Sequence, residues 1–117
     1  LKNKDITIYG EGKQTRSFCY VEDMVEALIK MMGTKNDFTG PINIGNPQEI
    51  TISSLAQKII ELTNSKSNII YQPLPEDDPM QRKPEITKAE NDLDWQPKTS
   101  KDEGLQKTIE YFKNLIT

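Results

Sequence analysis

The chain has 117 residues, a formal charge of −3 and interleaved acids and bases, so it lacks the clustered basic face that a nucleic-acid interface needs. No apolar run approaches the roughly 20 residues of a membrane helix. With no histidine and one cysteine, Cys19, this chain cannot assemble a structural zinc site or Ser-His or Cys-His catalysis.

The length suits one domain with a modest core. A lone thiol, with no recognisable signal peptide, points to a reducing, cytoplasmic setting. Residues 6–9, ITIY, predict a short strand ending at Gly10-Glu11-Gly12. Position 15 is Thr rather than a third glycine, and the run leads into another strand-like piece, Arg16 to Tyr20. A dinucleotide loop needs strand, glycines and then helix, so the segment reads as a β-turn or hairpin loop. Cys19 lies in the apolar run Phe18 to Val21 and reads as a small buried hydrophobe.

From Val21 the period changes. Val21, Met24, Val25, Leu28, Ile29 and Met32 recur as on one face of a helix. Glu22 and Asp23 suit its first turn, where the helix dipole favours negative charge, and Gly33 is a natural stop. Residues 41–45, PINIG, read as a short buried strand followed by a turn at Gly45-Asn46-Pro47. A second helix starts with Thr51 as N-cap and carries Ile52, Leu55, Ala56, Ile59 and Ile60 on one face. It ends near Asn64-Ser65, and residues 68–72, NIIYQ, give another strand.

The proline-punctuated run from Pro73 to Pro84 reads as a loop. Thr87 with Glu90, and Ser100 with Glu103, are capping-box pairs that open two more helices, the last with Leu105, Ile109, Phe112 and Ile116 on its apolar face. Trp95, between them, reads as a core anchor. The order β, β, α, β, α, β, loop, α, α supports an α/β class with few, short strands. That sheet is thin for a self-sufficient fold, so the expectation is that a partner region is missing.

The only two arginines, Arg16 and Arg82, both fall in loop-like segments, against thirteen lysines elsewhere. Arginine suits sites where a planar fork must hold a phosphate or carboxylate, so one anionic ligand gripped from two sides is one reading. Ordinary surface ion pairs with acids such as Glu11, Glu22 or Asp77 are the other.

The segments ITIYGEGKQTRSFCYVEDMVEAL, GPINIGNPQEITISSLAQKI, PLPEDDPMQRKPEIT and LDWQPKTSKDEGLQKTIEYF resemble the C-terminal part of extended short-chain dehydrogenases acting on nucleotide sugars. The DDPxxRKP segment and the GNPxE turn favour the UDP-glucuronic acid decarboxylases, or UDP-xylose synthases. They speak against dTDP-glucose 4,6-dehydratases and UDP-sugar 4-epimerases, which remain alternatives. A non-catalytic nucleotide-sugar-binding or oligomerisation module on the same scaffold is a third.

The resemblance implies one substrate-binding C-terminal domain, residues 1–117, from which the main Rossmann sheet is missing. Residues 21–45 would normally pack on that Rossmann-like region. It implies NAD, bound mainly by the missing part, and a reaction of C4 oxidation, decarboxylation and re-reduction that makes UDP-xylose. The family's catalytic Tyr-x-x-x-Lys pair has no helical copy here. Tyr9 and Lys13 match the spacing but span the glycine turn, so the chain is expected to be inactive alone. By the same resemblance Tyr9, Gln14, Arg16, Arg82 and Glu85 bind the UDP-sugar, with Arg82 either anchoring the diphosphate or helping the carboxylate leave. Glu85 stands where the family usually has Asp. The implied full-length enzyme is a cytoplasmic homodimer that binds neither nucleic acid nor membrane.

Overall fold

The computed structural model describes residues 1–116. Eight elements follow one another: β1 (Ile6–Tyr9), β2 (Thr15–Ser17), α1 (Val21–Met32), β3 (Glu49–Thr51), α2 (Ile52–Thr63), β4 (Ile69–Gln72), α3 (Thr87–Leu93) and α4 (Lys101–Ile116). They make an α/β structure with two separate two-stranded sheets, and no Rossmann sheet lies among the described residues.

β1 and β4 pair in parallel, Ile6 with Ile69 through Tyr9 with Gln72. A parallel pair needs a long crossover, here supplied by everything between them, and α2 packs back onto β1. Alternation along β1 buries Ile8 and leaves Tyr9 out, as a half-covered strand requires. β2 and β3 pair antiparallel, Thr15 with Thr51, Arg16 with Ile50 and Ser17 with Glu49. β1 and β2 therefore belong to different sheets, and the Gly10-Glu11-Gly12 turn is a corner between sheets, not a hairpin. Both glycines carry φ near +70°, a region that suits Gly and strains other residues.

Two expected strands differ. Residues 41–45 form no strand; Ile42 and Ile44 instead pack on the core as partly buried side chains. The short strand Glu49–Thr51 stands where the sequence showed only the approach to a helix.

The helix starts show why capping signals need their geometry. Thr51 caps α2 as expected, its Oγ1 accepting from the Ser54 amide at 3.1 Å, and Asn64 closes α2 in the left-handed region. The Ser100 hydroxyl accepts from the Glu103 amide at 3.2 Å at the start of α4. At α3 the Thr87–Glu90 box is not formed. Thr87 is the first helical residue, and the Glu85 carboxylate takes both its amide, at 3.0 Å, and its hydroxyl.

The core is built from Ala27 of α1, Ala89 and Leu93 of α3, Ile86 and Trp95. The Trp95 indole N–H donates to the Asp23 carbonyl at 2.9 Å. The buried Asp23 carboxylate accepts the Thr99 amide (2.9 Å) and hydroxyl (3.2 Å), which ties the first turn of α1 to the segment before α4. The apolar stripe of α1 faces outward, as expected of a helix that would normally pack on a missing region: Val21, Val25, Leu28, Ile29 and Met32 are exposed, Met32 to 86%. The molecule is a slab of 52 × 37 × 18 Å with a radius of gyration of 17.0 Å, against about 13 Å for a compact domain of this length. No helix among the described residues is long and apolar enough to cross a membrane.

Candidate functional site

The 73–84 loop comes back onto β2 and joins the two arginine segments. The Thr15 amide donates to the Met80 carbonyl at 2.9 Å, and Thr15 forms a parallel bridge with Gln81. Arg16 and Arg82 each follow one bridged residue, so they occupy neighbouring register positions. The bridge therefore brings the two arginine-bearing segments alongside one another.

Arg16 is the more ordered of the two. Its Nη2 donates to Asp78 Oδ1 at 2.5 Å and its Nη1 to its own neighbour's carbonyl, Thr15 O, at 2.7 Å. The guanidinium therefore does pair, but with Asp78 of the same loop rather than with Glu11, Glu22 or Asp77. Arg82 is exposed and has neither hydrogen bond nor ion pair among the described residues.

Glu49 ties the arrangement together from β3. Its Oε1 accepts the Thr15 hydroxyl at 2.9 Å and the Gln81 carboxamide at 2.6 Å. These bonds, Gln81 first and then Thr15, with Lys83 nearby, hold the carboxyl below the usual range. On the other side of the loop, Gly45 lies against Pro84 so closely that a Cβ would come within 2.9 Å of the proline ring. The GNP turn and the RKP segment thus touch because position 45 has no side chain.

The remaining expected residues are placed with different roles. Gln14 is buried, and its Nε2 donates to the Tyr9 carbonyl at 2.9 Å, bracing the glycine corner. Tyr9 is half exposed at the end of β1. Glu85 caps α3 through Thr87, and those two bonds lower its pKa. Lys13 forms an ion pair with Glu11 at 2.6 Å. The Cys19 thiol is pushed up by burial and by the Asp23 carboxylate, which suits a packed side chain, not a nucleophile. No group of three or more Cys, Asp or Glu side chains among the described residues could hold a metal ion.

Sequence reasoning missed Glu49, Asp78, Thr15 and Gln81 as partners. Their contacts span 32 to 66 residues, beyond any local period. The only visible signal was that Thr15 and Gln81 sit beside the two arginines.

A second cavity-like feature, an apolar groove of about 610 Å³, runs between α4, α2 and residues 18–21, lined by Phe18, Tyr20, Leu55, Ile59, Leu105 and Phe112 among others. It offers few polar groups, and Ile50, the register partner of Arg16, is among its lining residues.

Residues 1–108 match the family model of GDP-mannose 4,6 dehydratase. Among curated proteins the chain is 45% identical over 99% of its length to UDP-glucuronic acid decarboxylase 1 of Arabidopsis thaliana. It is 45% identical over 96% to the enzyme of that name from Danio rerio. It spans 26% of each of these relatives.

Among solved structures it superposes on UDP-glucose 4-epimerase of Thermotoga maritima with UDP-glucose, with a TM-score of 0.91 and 30% identity, over 99% of this chain and 37% of that one. UDP-glucuronic acid 4-epimerase of Bacillus cereus, in complex with UDP-glucuronic acid and NAD, gives 0.89 and 28%, over 97% and 37%. With the family model covering nearly all of its residues and relatives of this similarity along its whole length, the chain belongs to the GDP-mannose 4,6-dehydratase family.

Proposed function

We propose that this chain is the nucleotide-sugar-binding portion of an NAD-dependent UDP-glucuronate decarboxylase that makes UDP-xylose. The observation that carries the reading is the Thr15–Gln81 bridge, which joins the two segments that carry the only two arginines. Two guanidinium forks on adjoining segments suit a diphosphate, held bidentately and in fixed orientation. Arg16 supplies one cation. Arg82, free of protein partners among the described residues, supplies the second, at the diphosphate or at the sugar carboxylate. Tyr9, at the rim of the glycine corner, is placed to meet the base, and Gln14 and Glu85 act by holding the corner and the start of α3.

The residues here do not form a dinucleotide cradle: Gly10 and Gly12 lead into β2, not into a helix. Lys13 is engaged by Glu11 and shares no helix with Tyr9. NAD and the catalytic Tyr-x-x-x-Lys pair therefore belong to the rest of the protein, and this portion alone is inactive. What these side chains contribute is binding and orientation. Residues 1–117 act as one substrate-binding unit whose segment 21–45 docks on the Rossmann-like region. The exposed apolar stripe of α1 supports that docking. The full-length enzyme is read as a cytoplasmic homodimer.

A UDP-sugar 4-epimerase is the competing enzyme, favoured by the fold match to epimerases at a TM-score of 0.91. The curated relatives weigh more, because their identities of 41–48% exceed the 30% of that epimerase. Incubating the full-length gene product with UDP-glucuronate separates the readings. Release of CO2 with UDP-xylose is expected; UDP-galacturonate without CO2 would make it an epimerase. Binding without turnover would make it a non-catalytic module.

A further inference from the structure

Glu49 lies outside the arginine face, yet one of its oxygens touches both residues that immediately precede the arginines. Its Oε1 accepts from Thr15 at 2.9 Å and from Gln81 at 2.6 Å. Thr15, Ser17, Glu49 and Thr51 share one face of the β2–β3 pair, and Arg16 and Ile50 lie on the other. Holding Thr15 and Gln81 on one oxygen ties together the two segments whose next residues are Arg16 and Arg82. The clamp bears on a loop with few other restraints: the Thr15–Met80 backbone bond, the Gly45–Pro84 contact and the Arg16–Asp78 pair.

We infer that Glu49 is a positioning residue for the anion site: by holding Thr15 and Gln81 on one carboxylate oxygen it fixes the spacing and facing of Arg16 and Arg82. The inference rests on the reading that these arginines grip the ligand diphosphate. Glu49 touches no ligand itself. Its two bonds land on the same oxygen, so an amide oxygen in that place would serve as well. The clamp depends on an acceptor at this point, not on net charge.

The test uses the full-length gene product, with UDP as probe and calorimetry as the measurement. Glu49→Ala is expected to weaken UDP binding about tenfold, the effect of losing two hydrogen bonds that fix the site. Glu49→Gln is expected to restore affinity to within about threefold, since the acceptor oxygen is kept. In an Arg16→Ala, Arg82→Ala background, Glu49→Ala should change affinity no further, because nothing is left to position.

Wild-type affinity in Glu49→Ala, failure of Glu49→Gln to rescue, or an additive loss in the triple variant each overturns the inference. Should Glu49→Ala unfold, Thr15→Val and Gln81→Ala each remove one of the two bonds, with a loss of about threefold expected from each. Unchanged affinity in both overturns it as well. Normal UDP binding by Arg16→Ala and by Arg82→Ala would instead remove the anion site, and with it the proposed function. Loss in those two with normal binding in Glu49→Ala would remove only the positioning role.

Discussion

The Arg16 guanidinium and the Asp78 carboxylate meet at 2.5 Å across 62 residues of sequence. Both side chains remain partly open to solvent, at 21% and 31%. The pair is therefore an orienting contact more than a source of stability. It lies on the loop that carries Arg82, so the same few residues fold the loop down and aim one of its cations.

Replacing Asp78 by Asn separates those two roles. Partly exposed ion pairs contribute about 0.2–1 kcal/mol, so urea denaturation of Asp78→Asn should shift by no more than that. UDP binding should tighten, by up to about tenfold, because a carboxylate that competes with the diphosphate for Arg16 has been removed. Weaker binding in calorimetry would show that Asp78 instead cooperates with Arg16 in holding the ligand.

Gly12 predicts a larger loss from a smaller change. Its φ of +73° is in the left-handed region, and a Cβ there would sit 2.9 Å from the Ser53 Cβ. Gly12 also accepts the Ser53 amide at 3.0 Å, where the corner meets the start of α2. Gly12→Ala should cost at least about 1–2 kcal/mol from backbone conformation alone, with the steric shift added. A melting temperature equal to wild type would mean the corner can rearrange without consequence.

How far these features were legible in the sequence depends on the distance over which each is encoded. The bounds of α1, the Thr51 cap, the Asn64 stop and the burial of Trp95 follow from local period and residue type, and each is found as read. The reading of the chain as a family member was also open to sequence, since its motifs run the whole length. Pairings were not. β1 joins β4, not β2, because hydrogen bonding between strands depends on what lies alongside in space. Residues 41–45 looked like a strand by composition, but Ile42 and Ile44 are satisfied by packing on the core. The exposure of the apolar stripe of α1 was legible from the expected missing region. That the opposite side, bearing Asp23 and Ala27, faces the core was not, because the Asp23–Thr99 contact spans 76 residues.

That lock gives a third prediction. Asp23 is 5% exposed, and its two oxygens take the Thr99 amide and hydroxyl. Asp23→Ala leaves those donors without their partner, at about 1–3 kcal/mol for a buried unsatisfied group. The Trp95 indole bond goes to the Asp23 backbone carbonyl, so it survives the substitution. The tryptophan emission should stay that of a buried indole while the denaturation midpoint falls. A red-shifted native spectrum would show that the side chain also holds the core closed.

The Glu49 carboxyl should titrate below an ordinary glutamate. Hydrogen bonds from Gln81 and Thr15 lower this carboxyl. A group whose folded pKa lies below its unfolded value stabilises the fold above the unfolded value and loses that contribution as pH falls through the folded one. With an unfolded glutamate near about 4.3, the ionised carboxylate and its contribution to stability are fully present at neutral pH and are lost only as pH falls below that. A carbon-detected titration should give Glu49 a midpoint under about 4.3. A midpoint at or above that value would show the two bonds to be weak in solution.

The apolar stripe of α1 makes the last prediction. Leu28 and Ile29 are 53% and 63% exposed, beside Val21, Val25 and Met32. A contiguous stripe of this kind on a slab-shaped molecule favours association, since its removal from water is favourable at about 25 cal/mol per Å². The chain by itself should sediment as more than a monomer at micromolar concentration. Leu28→Lys with Ile29→Lys should restore the monomer without loss of helix content, because neither side chain belongs to the core formed by Ala27, Ala89 and Trp95. The same pair of lysines in the full-length gene product should do the opposite of a neutral surface change. It should separate or destabilise the region on which this helix docks, seen as a lower melting temperature. A full-length variant as stable as wild type, with an isolated chain that is monomeric from the start, would show that this face meets nothing but water.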